Sequence, residues 1–289
     1  MNWLRQSAHG EQNDRKEPAN TVARSSSRIV LIVMIQNMIT SPLVVASLVL
    51  WASLSGTRCD LFAQAHTQVP FVGCESDGQV GPLKAPQGKA KRLALPAKIA
   101  GRLAYYKAEE GFGVLAPRGW QCFSTYGSNG SNLYVAPEPM NGKMLLLSDW
   151  NGFTGQAVQV SVSAGNTSGR FAVARVIARV FPDRKEFVQS VIAERIEPAA
   201  AFPSGPYPTD RLTYLSRNVV EFETPPNSKG LGTDSMLLVS STPIRGVAIL
   251  FGEEPSLVEE TIRLSAENQT LIRAILEQTE KEAAGSKSK

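Results

Sequence analysis

The residues best suited by type and spacing to do chemistry are Glu221 and Glu223, two apart in the strand-like run Val219-Val220-Glu221-Phe222-Glu223-Thr224. In an extended chain both would project from one face, with Cα atoms about 6.6–6.8 Å apart. That separation could suit the carboxyl pairs that cleave glycosidic bonds. Catalytic acids usually face each other from different elements, however, and strands commonly carry solvated glutamates, so a structural role is the expectation. Asp149-Trp150-Asn151-Gly152 and Asp234 could supply oxygen ligands to calcium. No spaced acidic loop accompanies them, and turn formation accounts for them better. Arg175 and Arg179, four apart, could clamp an anion, although a charged stripe on a helix is more often a solvated face. Gly230-Leu231-Gly232 is too short for a phosphate loop. The Tyr and Trp residues of 99–134 could line a groove, but such side chains are more often half-buried in strands.

Scarcity excludes more than any motif proves. The chain has only two histidines, His9 and His66. A Ser-His-Asp triad, a Cys-His pair, a His-zinc site or a His-ligated haem each needs an imidazole inside the fold. The three cysteines, Cys59, Cys74 and Cys122, are too few for an all-cysteine zinc site. No cofactor and no metal are expected, and any catalysis would have to use carboxylates, Ser/Lys, Tyr or backbone groups. A net charge of +4 and no basic run longer than Lys89-Ala90-Lys91-Arg92 argue against nucleic acid. Apolar content of 43% with 19% charged residues is that of a globular chain.

The elements that would position these residues read as follows. Residues 1–28 form a polar extension on the cytoplasmic side. Ile29 to Leu54 carries no charged side chain and as a helix would span about 39 Å, more than the roughly 30 Å hydrocarbon core. Arg24 and Arg28 before it orient the rest outward. It reads as a signal peptide, with 55–70 as cleavage region and linker. Ala63-Gln64-Ala65 allows a cut between Ala65 and His66; the alternative is an uncleaved signal anchor that holds the domain to the membrane. Export places Cys74 and Cys122 in an oxidising compartment, where a disulfide between them is expected.

Residues 71–265 read as one α+β domain with an antiparallel sheet and a helical segment in mid-domain. Strand-like runs are Ile99 to Tyr106, Gly111 to Leu115, Trp120 to Tyr126, Leu133 to Ala136, Met144 to Leu147 and Ala157 to Val162. Ser128-Asn129-Gly130-Ser131 signals a hairpin. Ser168 would cap a helix from Gly169 to Phe181, although Phe171 to Val180 also satisfies the period of a strand, and Asp183 would cap a second helix with Phe187, Val188, Val191 and Ile192 as its stripe. Beyond the Pro-rich loop 198–208, Leu212 to Leu215, Val219 to Thr224, Met236 to Val239 and Gly246 to Phe251 read as strands. Leu257 to Leu264 reads equally as a helix, from the Ser256/Glu259 capping box, or as an edge strand. Residues 266–289 form a C-terminal helix and charged tail.

Three stretches carry a resemblance: Phe71-Val72-Gly73-Cys74-Glu75-Ser76-Asp77-Gly78, Gly113-Val114-Leu115-Ala116-Pro117-Arg118-Gly119-Trp120 and Phe202-Pro203-Ser204-Gly205-Pro206-Tyr207-Pro208. They resemble a group of uncharacterised exported bacterial proteins over about residues 71–265. The resemblance implies export and a single domain and transfers no site. Two functions are carried forward as expectations. The first is a non-enzymatic periplasmic or secreted domain that binds a partner protein or envelope ligand. The second is a carboxylate- or Ser/Lys-dependent hydrolase of an envelope polymer.

Overall fold

Alternation of valine with polar residues at Val158, Val160 and Val162 makes Ala157–Ser163 a strand whose two faces meet different surroundings. The computed structural model describes residues 66–147 and 150–286. The membrane-segment reading of Ile29 to Leu54, Cys59, the Ala65 side of the cleavage reading and Asp149 fall outside them. Among the described residues no helix is long and apolar enough to cross a membrane.

Among the described residues the chain begins with β1 (His66–Val69), β2 (Phe71–Gly73), β3 (Glu75–Gly78), β4 (Lys91–Ala94), a helical turn α1 (Ala97–Ala100), β5 (Leu103–Lys107) and β6 (Val114–Pro117). Next come β7 (Gln121–Gly127), β8 (Gly130–Ala136), α2 (Gly142–Leu147), β9 (Ala157–Ser163), α3 (Arg170–Val180) and α4 (Lys185–Ala193). β10 (Arg211–Ser216), β11 (Val219–Thr224), β12 (Ile244–Phe251), β13 (Ser256–Arg263) and α5 (Ile272–Ser286) complete it. The fold is α+β. Its largest sheet has eight strands in the order β10-β11-β12-β13-β9-β8-β7-β3, antiparallel except for β3 beside β7. β2, β5 and β6 form a second sheet, and β1 pairs with β4.

One face of the large sheet, with Leu133, Val135, Val158, Val160, Val247, Ile249, Val258 and Ile262, packs in one core with β5, β6 and the helix α5. From α5 and the turn before it, Leu271 and Ile275 are fully buried in that core. The opposite face sets Val220, Phe222, Ala248, Leu250 and Leu257 against α3 and α4, and Tyr134, Ala136 and Ala157 against Phe153 and Leu237. Cys74, just after β2, is joined by a disulfide to Cys122 in β7 (Cα–Cα 5.4 Å), linking the small sheet to the large one.

Several local expectations are corrected. β13 is neither helix nor edge: it lies between β12 and β9, because apolar residues on both its faces find cover, Leu257 with α3 and Val258 with α5. Met144 to Leu147 belongs to α2 rather than a strand. The strand expected from Ile99 starts later, after the α1 turn that follows Pro96. Met236 to Val239 contributes only a bridge between Leu237 and Phe153. The β7–β8 turn closes on Gly127 opposite Gly130, so Ser128 and Asn129 are its central residues rather than Asn129 and Gly130. Gly130 is still required, since its φ is +137° and a Cβ there would stand 1.8 Å from the Val162 carbonyl oxygen. Ser168 and Asp183 do not cap: α3 starts after Gly169 without a side-chain cap, and Asp183 sits within a single 3-10 turn, Pro182–Arg184, before α4.

Candidate functional site

α3 forms because its apolar residues recur at helical spacing: Val173, Ala174, Val176, Ile177 and Val180 are buried against the sheet. Arg175 and Arg179 fall one turn apart beside that stripe. Arg175 pairs with Glu197 (2.5 Å), and its guanidinium lies 5.9 Å from the Phe202 ring. Arg179 stacks over Tyr207 at 4.0 Å and donates to the Gly205 carbonyl at 3.1 Å. Gly205, with φ +84°, donates back to the Ala178 carbonyl, so the Pro-rich loop is strapped to the helix.

Tyr207 reaches onward. Its hydroxyl donates to the Asp234 carboxylate at 2.9 and 3.0 Å. Asp234 ends the 3-10 turn Leu231–Asp234, which Asp210 holds in place by accepting from the Leu231 amide (2.7 Å) and the Thr224 hydroxyl (2.8 Å). Gly230, in the stretch too short for a phosphate loop, has no room for a side chain: a Cβ would lie 2.0 Å from Asp210 Oδ1.

Glu259 of β13 lies between these groups. It stands opposite Ala248 and Ser161 in the sheet and lines a cavity of about 330 Å³ together with Arg175, Arg179, Tyr207 and Asp234. The residue keeps contact with the cavity, but its Oε1 is shut off from water and has no hydrogen-bond partner. Burial first, and then the negative charge of Asp234, push its carboxyl up to about 8. Asp234 is also raised, by burial, against the opposing hydrogen bond from Tyr207 and the charge of Arg179. At neutral pH Glu259 therefore tends to keep its proton, and Asp234, raised less completely because Tyr207 and Arg179 oppose burial, lies beside it as an acceptor. Such an arrangement can donate one hydrogen bond and accept several, or act as an acid and a base.

The structure thus unites Arg175, Arg179 and Asp234, which the sequence offered separately for an anion and for calcium. Glu259 was missed. Its signal was a Glu259-Glu260 pair within the apolar run Leu257 to Leu264, meaningful only once that run is an inner strand. Glu221 and Glu223 do share a face, but the opposite one, toward α5. Glu223 lies between Arg211 and Arg245 at 2.8 Å each, and Glu221 pairs with Arg273. These three arginines and two glutamates line a separate cavity of about 320 Å³, and Arg273 also pairs with Glu277. Glu280 on α5 is raised to about 7 by burial and by sharing a hydrogen bond with Glu221.

Of the Tyr and Trp residues of 99–134, Tyr105, Tyr106 and Tyr134 are core side chains and Trp120 packs against the core that holds Tyr105 and Tyr106; Trp150, edge-on to Phe153 at 4.9 Å, lines a small cavity with Met140. Among the described residues no three His, Cys, Asp or Glu side chains are grouped to hold a metal ion. Compared with protein-family models, curated proteins and solved structures, the chain matches none.

Proposed function

We propose that the chain is an exported, non-enzymatic binding protein whose periplasmic or secreted domain takes an envelope ligand in the cavity between α3 and the sheet. The observation that carries this reading is the Glu259 carboxyl, buried at the cavity with an oxygen that no protein group satisfies. A buried polar atom left unpaired costs about 1–3 kcal/mol, and a ligand toward which the Glu259 side chain turns that oxygen recovers the loss. The volume falls at the low end of the roughly 300–1,000 Å³ range of small-molecule sites. The Cys74–Cys122 disulfide supports an oxidising, extracytoplasmic compartment. Retention on the membrane through an uncleaved Ile29 to Leu54 is the alternative topology.

A second reading is a carboxylate-dependent hydrolase of an envelope polymer. Asp234 and Glu259 favour it, because they approach from different elements and burial holds one of them protonated. Hydrogen exchange on the full chain, with and without solubilised envelope glycan fragments, tests both. Binding protects α3, the Leu231–Asp234 turn and β13 and leaves the fragments intact. New reducing ends that disappear in Glu259→Gln establish the hydrolase instead. Unchanged exchange over all three elements, with no cleavage, refutes both.

A further inference from the structure

We infer that the group held in this cavity is a single neutral sugar ring, an assignment that rests on the binding role proposed above. The charges around the cavity cancel in pairs. Arg175 is matched by Glu197 at 2.5 Å, and Arg179 faces Asp234, whose carboxylate it stabilises. With Glu259 protonated, no cation is left over for a phosphate or a carboxylate, so an anionic ligand would enter without compensation. A metal cation has no better case, since among the described residues no three acidic, His or Cys side chains are grouped to hold one.

What remains is a mixture of neutral donors and acceptors. Glu259 offers a proton and a lone pair, Asp234 accepts, and guanidinium N–H groups donate. Each sugar hydroxyl both donates and accepts, which is the pattern such a wall satisfies. Between the polar groups, Val176, Pro203 and Leu257 provide apolar wall for the C–H face of a ring. The volume of about 330 Å³ suits one ring rather than an oligomer.

The charged and titratable groups that face Glu259 are Arg175 and Arg179 from α3, Tyr207 from the loop and Asp234 from the turn. Its sheet neighbours Ala248 and Ser161 carry no ionisable side chain. Glu259 is consequently the group whose ionisation removes a donor and adds a charge with no partner. Binding of a neutral ring should then weaken on going from neutral to alkaline pH.

The full chain is titrated with glucose and N-acetylglucosamine as neutral probes and glucuronate as the anionic one, with hydrogen exchange locating each. A neutral sugar should protect α3 and β13. Glu259→Leu should weaken it about tenfold, the size of one hydrogen bond to a buried group. Glu259→Gln should keep the affinity within about threefold and lose its alkaline decline. Glucuronate binding at these elements while neutral sugars do not would overturn the ligand class and leave the binding role standing. Protection by a neutral sugar elsewhere, or affinity indifferent to Glu259→Leu, would overturn the assignment to this cavity. No protection there by these probes or by the envelope fragments would overturn the ligand class and the binding role together.

Discussion

Glu260, the neighbour of Glu259 on β13, points to the other face of the sheet and is fully buried under α5. Neither of its carboxyl oxygens has a hydrogen-bond partner. Thr279 adjoins it, while Glu280 and Glu282 of α5 add negative charge. Burial is the largest cause of its pKa, which rises from 4.5 to about 8. Over that window the folded state keeps a proton that the unfolded chain releases, so stability is full below about pH 4.5 and falls as pH rises through about 8. Each pH unit between the two values costs about 1.4 kcal/mol, or about 5 kcal/mol across the whole window as an upper figure. Glu260→Gln removes this dependence while keeping the shape of the side chain. Urea unfolding of wild type and variant between about pH 5 and 9 measures it. The curves should lie closest at the acid end and diverge toward pH 8, with the variant the more stable by several kcal/mol. Parallel pH profiles would refute the reasoning, whatever constant offset separated them.

Replacing both Cys74 and Cys122 by Ser frees a loop with a sequence separation of 48. It should lower stability by about 4 kcal/mol, seen as a fall of roughly 8–16 °C in thermal midpoint. Arg263, buried, donates to the carbonyls of Phe153 (3.0 Å), Gly155 (3.3 Å) and Leu238. Arg263→Leu should strip these bonds, leaving the Phe153 carbonyl only the Leu238 amide, and cost about 3 kcal/mol, with a red shift of tryptophan emission as the Phe153–Trp150 contact loosens. Gly130→Ala should cost about 2 kcal/mol in urea unfolding, since its Cβ meets the Val162 carbonyl and its φ is positive.

How much of this was legible in the sequence follows from how local each signal is. Val219 to Thr224 reads as a strand by alternation alone and is β11. The repeat of Phe171, Ala174, Ile177 and Ala178 marks α3 because a helix carries its own hydrogen bonds and needs only a greasy face. Leu257 to Leu264 is ambiguous for the converse reason. A strand buried on both faces loses its alternation, and only pairing with Ser163 and Phe251, distant in one case and near in the other, decides its place. Met144 to Leu147 misled because four apolar residues fit either period. Within the site, Arg175 and Arg179 could be placed together from their spacing. Asp234 and Glu259 could not, because a 3-10 turn and an inner strand bring them to one cavity only after the sheet is assembled.

The helix α5 follows in the chain every strand it covers, and it is tied at its far end by Glu282, which accepts from Lys91 (2.9 Å) and from the Tyr105 hydroxyl (2.7 Å). A polypeptide delivered amino end first would thus present Val247, Ile249 and Val258 to water until Ile272 and Ile275 arrive to shield them. During that interval the half-assembled molecule offers a sticky surface to its neighbours. Anything that delayed the docking of α5 would prolong that exposure to aggregation and proteolysis.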